Sequence, residues 1–244
     1  MNQAYNFISP NRRELIAGGI YIPMHLIVMQ LILGLVFLLL EYFLDTPIDF
    51  LAMNIVFQAV ACIYLCIFMF QYLRWSWLRF MEYGIKNLWA ILLGYAILMA
   101  LALPLGILME LFVPDLPSPN QEAVEELIGE NFALSFLMAV ILAPFVEELL
   151  FRGVLFAPFL KRSRVLAYTI SSLAFAFMHI VGFLIMGFSP ILFVTMLIYI
   201  PHSLALCWVY EKTGSIWTAI FLHAFNNVIA LLLVQFAAPY IMPY

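Results

Sequence analysis

The chain has 244 residues, 66% of them hydrophobic and only 10% charged, with a formal net charge of −4 and a mean hydropathy of +1.08. A soluble domain carries roughly half apolar and about a quarter charged residues, so this composition describes an all-α, polytopic transmembrane helical bundle. It excludes a disulfide-stapled secreted scaffold, a disordered chain and, with ten Lys and Arg in all, a nucleic-acid binder. Cys62, Cys66 and Cys207 sit inside apolar runs and read as small buried hydrophobes rather than redox or metal groups.

A helix needs about 20 apolar residues to cross the hydrocarbon core. Seven stretches qualify: 20–44, 50–73, 88–112, 132–160, 165–187, 190–210 and 215–237. The first is too long for the apolar region of a cleaved signal and lacks a small-residue cleavage pattern, so it reads as retained. The sixth contains Pro201, a point at which it could split, so the expectation is seven to eight membrane helices. The polar segment up to Gly19 reads as a short interfacial piece. The one long polar connection, 113–131 (VPDLPSPNQEAVEELIGEN), reads as a solvated outer connector in which Asn120 would cap a short acidic helix.

Charge orients the bundle. Arg12 and Arg13 precede the first stretch, and Arg74, Arg79 and Lys86 follow the second. Arg152, Lys161, Arg162 and Arg164 lie at or near the turn after the fourth, and Lys212 follows the sixth. With a cytoplasmic N-terminus all ten fall on the inner side, while Asp45, Asp49, Asp115, Glu122, Glu125, Glu126 and Glu130 occupy the outer loops.

Ionisable groups at mid-membrane are expensive and therefore functional candidates. They gather in three runs. In Glu147-Glu148-Leu149-Leu150-Phe151-Arg152, neighbouring helical residues point about 100° apart, so the two carboxylates cannot face one spot. Arg152 lies four residues after Glu148, the spacing of an intrahelical pair, which leaves Glu147 to project elsewhere. His179 and Glu147 are each sixteen residues from Ser163, at the turn between the fourth and fifth helices, so an antiparallel pair sets them at one depth. His223 and Asn227 are four apart and share a helix face, some 18 Å along the last helix for Asn227. Asn226, on a distinct angle, reads as a packing residue. His202 mirrors His223 across the turn near Lys212 and could line the same cavity, but with no second feature beside it reads as structural or supporting; His25 reads as interfacial.

Glu147, His179, His223 and Asn227 thus offer a carboxylate, two imidazoles and an amide from three helices. Amide hydrolysis needs a base to activate water and donors for the oxyanion, with or without a metal. Glu147 is the base candidate. Zinc takes His, Cys and carboxylate ligands, but no His-Glu-x-x-His motif is present, and Asn227 suits an oxyanion better than zinc. The residues leave metal-bound and metal-free hydrolysis both open.

The runs EELLFR from Glu147, FAFMH from Phe175 and HAFNN from His223 resemble the signature of the CPBP family, the CAAX prenyl endopeptidases and bacteriocin-processing enzymes also called the Abi family. The flanks EELLFRGVL and, from Tyr210, YEKTGSIWTAIFLHAFNN look like those of bacterial members, and the similarity spans about residues 132–230. The resemblance implies that Glu147 activates the attacking water and that His179 helps bind the water or a metal. It also implies that His223 and Asn227 stabilise the oxyanion or complete the site, with Glu148 and Arg152 at the motif's other fixed positions. It further implies a metalloprotease with a divalent metal such as zinc on Glu147, His179 and His223, and eight membrane helices around a cavity open to the cytosol.

The sequence is therefore read as a single integral membrane domain of the bacterial plasma membrane. Residues 1–131 supply N-terminal helices and the acidic loop, and residues 132–237 a CPBP-like catalytic core. The expected function is intramembrane endopeptidase action on a peptide or membrane protein within the lipid bilayer, for peptide maturation or bacteriocin self-immunity. The alternative is a non-catalytic scaffold of the same fold that modulates a membrane partner. A proton-relay transporter is disfavoured because no internal repeat is seen.

Overall fold

The structure, a computed structural model, describes residues 8–25, 29–45, 49–114, 116–117, 119–187 and 189–241. These form helices α1 Arg12–Pro23, α2 Met29–Leu44, α3 Phe50–Phe68, α4 Phe70–Glu82, α5 Gly84–Phe112, α6 Pro119–Glu130, α7 Phe132–Leu160, α8 Arg164–Met186, α9 Ile191–Thr213 and α10 Ile216–Ile241, with no strand among the described residues. Six of them, α3, α5, α7, α8, α9 and α10, are long and apolar enough to cross a membrane. Large apolar side chains stay outside the bundle, among them Phe43, Leu103 and Leu111. In water such surface would be a liability; against lipid tails it is matched.

The predicted stretch 20–44 is divided in the described residues between α1 and α2, with 26–28 outside them, so six spans stand beside the seven to eight expected. The polar N-terminal segment forms a capped helix. Asn11 accepts from the Arg13 and Glu14 amides at 2.9 and 3.1 Å, and the Glu14 carboxylate accepts from the Asn11 amide at 2.8 Å. This Asn-x-x-Glu capping box was legible in the sequence. The other Glu14 oxygen accepts from the Tyr72 amide at 2.7 Å, tying α1 to the first turn of α4.

Three other expectations change. The stretch 50–73 is broken at Met69, whose φ of −113° and ψ of 21° separate α3 from α4. Helix α6 begins at Pro119, so Asn120 lies inside the helix rather than capping it; proline's fixed φ suits a first turn. Helix α9 passes Pro201 unbroken and ends at Gly214, whose φ of 70° is the left-handed conformation that a helix stop favours glycine to adopt. There Ile8 donates to the Gly214 carbonyl at 3.1 Å, and the Tyr210 hydroxyl donates to the Ile8 carbonyl at 2.8 Å.

Helix α7 is the central element. Its middle buries Val146, Leu149 and Leu150 against Leu65 and Met69 from the α3–α4 junction, Leu206 and Val209 of α9, and Leu222 of α10. Gly18 of α1 meets Val154 of α7 so closely that a Cβ would overlap the valine's Cγ2. Along α7 the pairing widens to i→i+5 over Leu137–Leu142 and Leu149–Phe156, bracketing Ala143–Glu148. Such widened turns recur at functional sites because each one shifts the rotational phase of the residues that follow.

Candidate active site

Glu147 is the sixteenth residue of the 29-residue α7, so it stands near mid-span. It lines a cavity of about 410 Å³ together with His179 of α8, His202 of α9, and His223 and Asn227 of α10. The equal distances of Glu147 and His179 from Ser163 thus bring both side chains to one cavity. The Glu147 side chain is 9% exposed overall, and its Oε2 is buried with no hydrogen-bond partner.

Glu148 and Arg152 lie behind that wall, both fully buried. The expected i, i+4 pair is present: Arg152 Nη1 donates to Glu148 Oε1 at 3.0 Å. Arg152 Nη2 also donates to the Ser203 hydroxyl at 2.9 Å and the Ser203 carbonyl at 3.2 Å. The same Glu148 oxygen is 2.8 Å from His223 Nδ1. A carboxylate can only accept, so Nδ1 carries the proton and Nε2 is the nitrogen left for the cavity. His179 reaches the same condition by another route. Its Nδ1 is 2.8 Å from the Phe175 carbonyl, one turn earlier, which again fixes the proton on Nδ1.

Asn227 is held by a defect in α7. Within the widened turn the Ala143 N–H goes to the Met138 carbonyl, and the next residue, Pro144, has no N–H. The Ala139 carbonyl therefore lacks both its i+4 and its i+5 donor. Asn227 Nδ2 fills the gap at 2.8 Å, which spends one of its two N–H groups and leaves one. Asn226 is more than packing: it also lines the cavity and donates to Asn227 Oδ1 at 3.3 Å.

Phe175 joins the parts. Its ring lies 4.5 Å from the His179 ring, 5.7 Å from that of His202 and 5.9 Å from that of His223, with the Arg152 guanidinium 4.6 Å from its centroid. A phenyl ring fills this space without competing for the imidazole nitrogens. His202 lines the cavity, as its mirror position to His223 allowed; its ring is 4.6 Å from that of His223, and its Nε2 is buried without a partner. Tyr199 stacks on His179 at 4.3 Å. Two further lining residues, Asn54 and Gln58, come from α3. Their i, i+4 spacing in an apolar helix is the signal that marked His223 and Asn227, and the sequence reading passed over it.

Among the described residues, no group of three or more His, Cys, Asp or Glu side chains is arranged to hold a metal ion. As placed, Glu147, His179 and His223 do not form such a group.

The three motifs lie within residues 129–229, which match the family model described as type II CAAX prenyl endopeptidase Rce1-like. No curated protein and no solved structure matches the chain. With the motif side chains gathered around and behind one intramembrane cavity, residues 129–229 of this multi-pass membrane protein are similar to the Rce1-like family of type II CAAX prenyl endopeptidases.

Proposed function

We propose that this protein is an intramembrane endopeptidase in which Glu147 activates water within the bundle cavity. The observation that carries the reading is the Glu147 carboxylate. It lines a polar cavity at mid-span with one oxygen buried and unpartnered, whereas the neighbouring Glu148 does not line that cavity and has its Oε1 taken by Arg152 and His223. A buried oxygen without a partner is a standing cost to the fold. A water that donates to it and is consumed in the reaction accounts for that cost.

In the proposed sequence Glu147 takes a proton from water as the oxygen attacks the peptide carbonyl carbon. The carbonyl π pair moves to its oxygen, which the remaining Asn227 N–H receives. His179 Nε2 accepts from the water, and His223, whose Nε2 is an acceptor in this tautomer, completes the polar lining of the site. Collapse of the intermediate breaks the C–N bond, and the proton held by Glu147 passes to the departing amine. Glu148 and Arg152 position His223 rather than react.

The substrate is a peptide or membrane-associated protein in a bacterial plasma membrane, with the N-terminus of the enzyme in the cytoplasm. Maturation of a secreted peptide or self-immunity to a bacteriocin fits this reading. The test compares peptide termini in membrane and secreted fractions of cells with wild type or Glu147→Gln at matched levels, with and without added zinc. Termini seen only with the wild type establish proteolysis and identify the substrate. Identical termini with an unchanged phenotype would favour a scaffold.

A further inference from the structure

The cavity has a wall that the family match does not reach. Residues 129–229 supply the motif side chains, but the polar groups of α3 lie outside that segment. Asn54 and Gln58 occupy one face of α3, four residues apart, and both line the cavity that holds Glu147. Their neighbours along the helix are apolar, Ile55, Val56 and Phe57 before Gln58 and Ala59 to Ala61 after it. An amide here is therefore not part of a general polar surface.

Gln58 Oε1 is buried and has no hydrogen-bond partner. The carbonyl makes no hydrogen bond to the protein, so its acceptor capacity is open to whatever enters the cavity. An isosteric methionine would lack that acceptor. The group makes sense when something that enters the cavity brings a donor. A peptide drawn to mid-membrane has that property. To present its carbonyl to Glu147 it must leave helical pairing near the scissile bond. Its freed N–H groups then need acceptors, which polar groups lining the cavity can supply.

We infer that Gln58 is a substrate-binding residue whose Oε1 accepts a backbone N–H of the peptide next to the scissile bond. This rests on the endopeptidase reading and deepens it. Leu127, Met138, Phe183 and Leu231 line the same cavity and offer apolar surface. The substrate class is thus an apolar segment held by its main chain at α3 and by apolar side chains elsewhere. Recognition through backbone groups tolerates sequence variation, so cleavage would follow apolarity and unwinding more than a fixed residue.

The experiment uses the full chain in liposomes of phosphatidylethanolamine and phosphatidylglycerol, with an internally quenched library of apolar decapeptides as probe. Wild type is first compared with Glu147→Gln, and one cleaved peptide is then resynthesised with single backbone N-methyl groups at each position. Gln58→Met is expected to raise KM about tenfold with kcat little changed and with a melting temperature at or above that of the wild type. N-methylation at one position near the scissile bond should slow the wild type about tenfold and leave Gln58→Met indifferent.

Glu147-dependent cleavage with an unaltered KM in Gln58→Met, or identical N-methyl profiles in the two proteins, overturns the inference and leaves the endopeptidase reading intact. A lowered melting temperature with unaltered KM also overturns it and makes Gln58 structural. Absence of any Glu147-dependent cleavage across the library overturns both.

Discussion

Glu148 Oε1 accepts from His223 Nδ1 at 2.8 Å and from Arg152 Nη1 at 3.0 Å, so one buried oxygen links α10 to the charged pair inside α7. The two adjacent glutamates consequently differ in kind. Glu147 faces the cavity, whereas Glu148 fixes the tautomer and the angle of an imidazole that faces it. Carboxylate-oriented histidines recur where ring direction matters, and here Ser203 of α9 completes the support by receiving Arg152 Nη2.

Removing one member of this buried group leaves the others uncompensated. Glu148→Ala is expected to destabilise the protein by about 3–5 kcal/mol, because Arg152 would remain fully buried without its counter-charge. The double variant Glu148→Met/Arg152→Met should cost clearly less than the sum of the two single variants. Thermal unfolding in detergent micelles for the four proteins of the cycle measures this directly. Additive effects would mean that the pair is not coupled.

Glu147→Gln separates chemistry from folding. Loss of a general base lowers rates by roughly 10²–10⁴-fold, so the terminus-forming activity should fall at least a hundredfold. The melting temperature should not drop, because Glu147 Oε2 makes no hydrogen bond that the amide would forfeit. The two readouts are taken on the same preparation.

The Asn227–Ala139 bond predicts a coupling between distant sequence positions. Asn227→Ala should cost about 1–3 kcal/mol by orphaning the Ala139 carbonyl. In a Pro144→Ala background the new N–H at position 144 can serve that carbonyl in the widened register. The cost of Asn227→Ala should then shrink to less than half. An equal cost in both backgrounds would show that the proline is not the source of the gap.

Two glycines distinguish stiff from yielding neighbours. A Cβ at Gly18 would overlap Cγ2 of Val154, a β-branched side chain with little freedom to turn away. Gly18→Ala should therefore cost about 1–3 kcal/mol, as overpacked cores do. A Cβ at Gly94 would come within 2.8 Å of Leu222 Cδ2, the far end of a flexible side chain, and Gly94→Ala should cost less. Val154→Ala should rescue Gly18→Ala and not affect Gly94→Ala. Melting temperatures of the wild type, the three single variants and the two double variants decide the point.

Much of the site was legible before any coordinates. Hydropathy located five of the six spans nearly to their ends, since apolar length is a local and additive property. Counting from Ser163 matched the depths of Glu147 and His179, and the i, i+4 rule found both the Glu148–Arg152 pair and the shared face of His223 and Asn227. The capping box at Asn11 and the polar pair Asn54 and Gln58 were equally legible, in an Asn-x-x-Glu pattern and in i, i+4 spacing within an apolar helix.

What the sequence by itself determined is therefore the solvent, the spans, and which side chains share a depth or a helix face. Only the tertiary structure decided which of them meet. Contact between helices depends on how each is rotated about its axis, and the two widened stretches of α7 shift that rotation by amounts that hydropathy does not encode. For that reason the hold of Glu148 on His223, the repair of the Pro144 gap by Asn227 and the α3 wall emerged only from the assembled bundle.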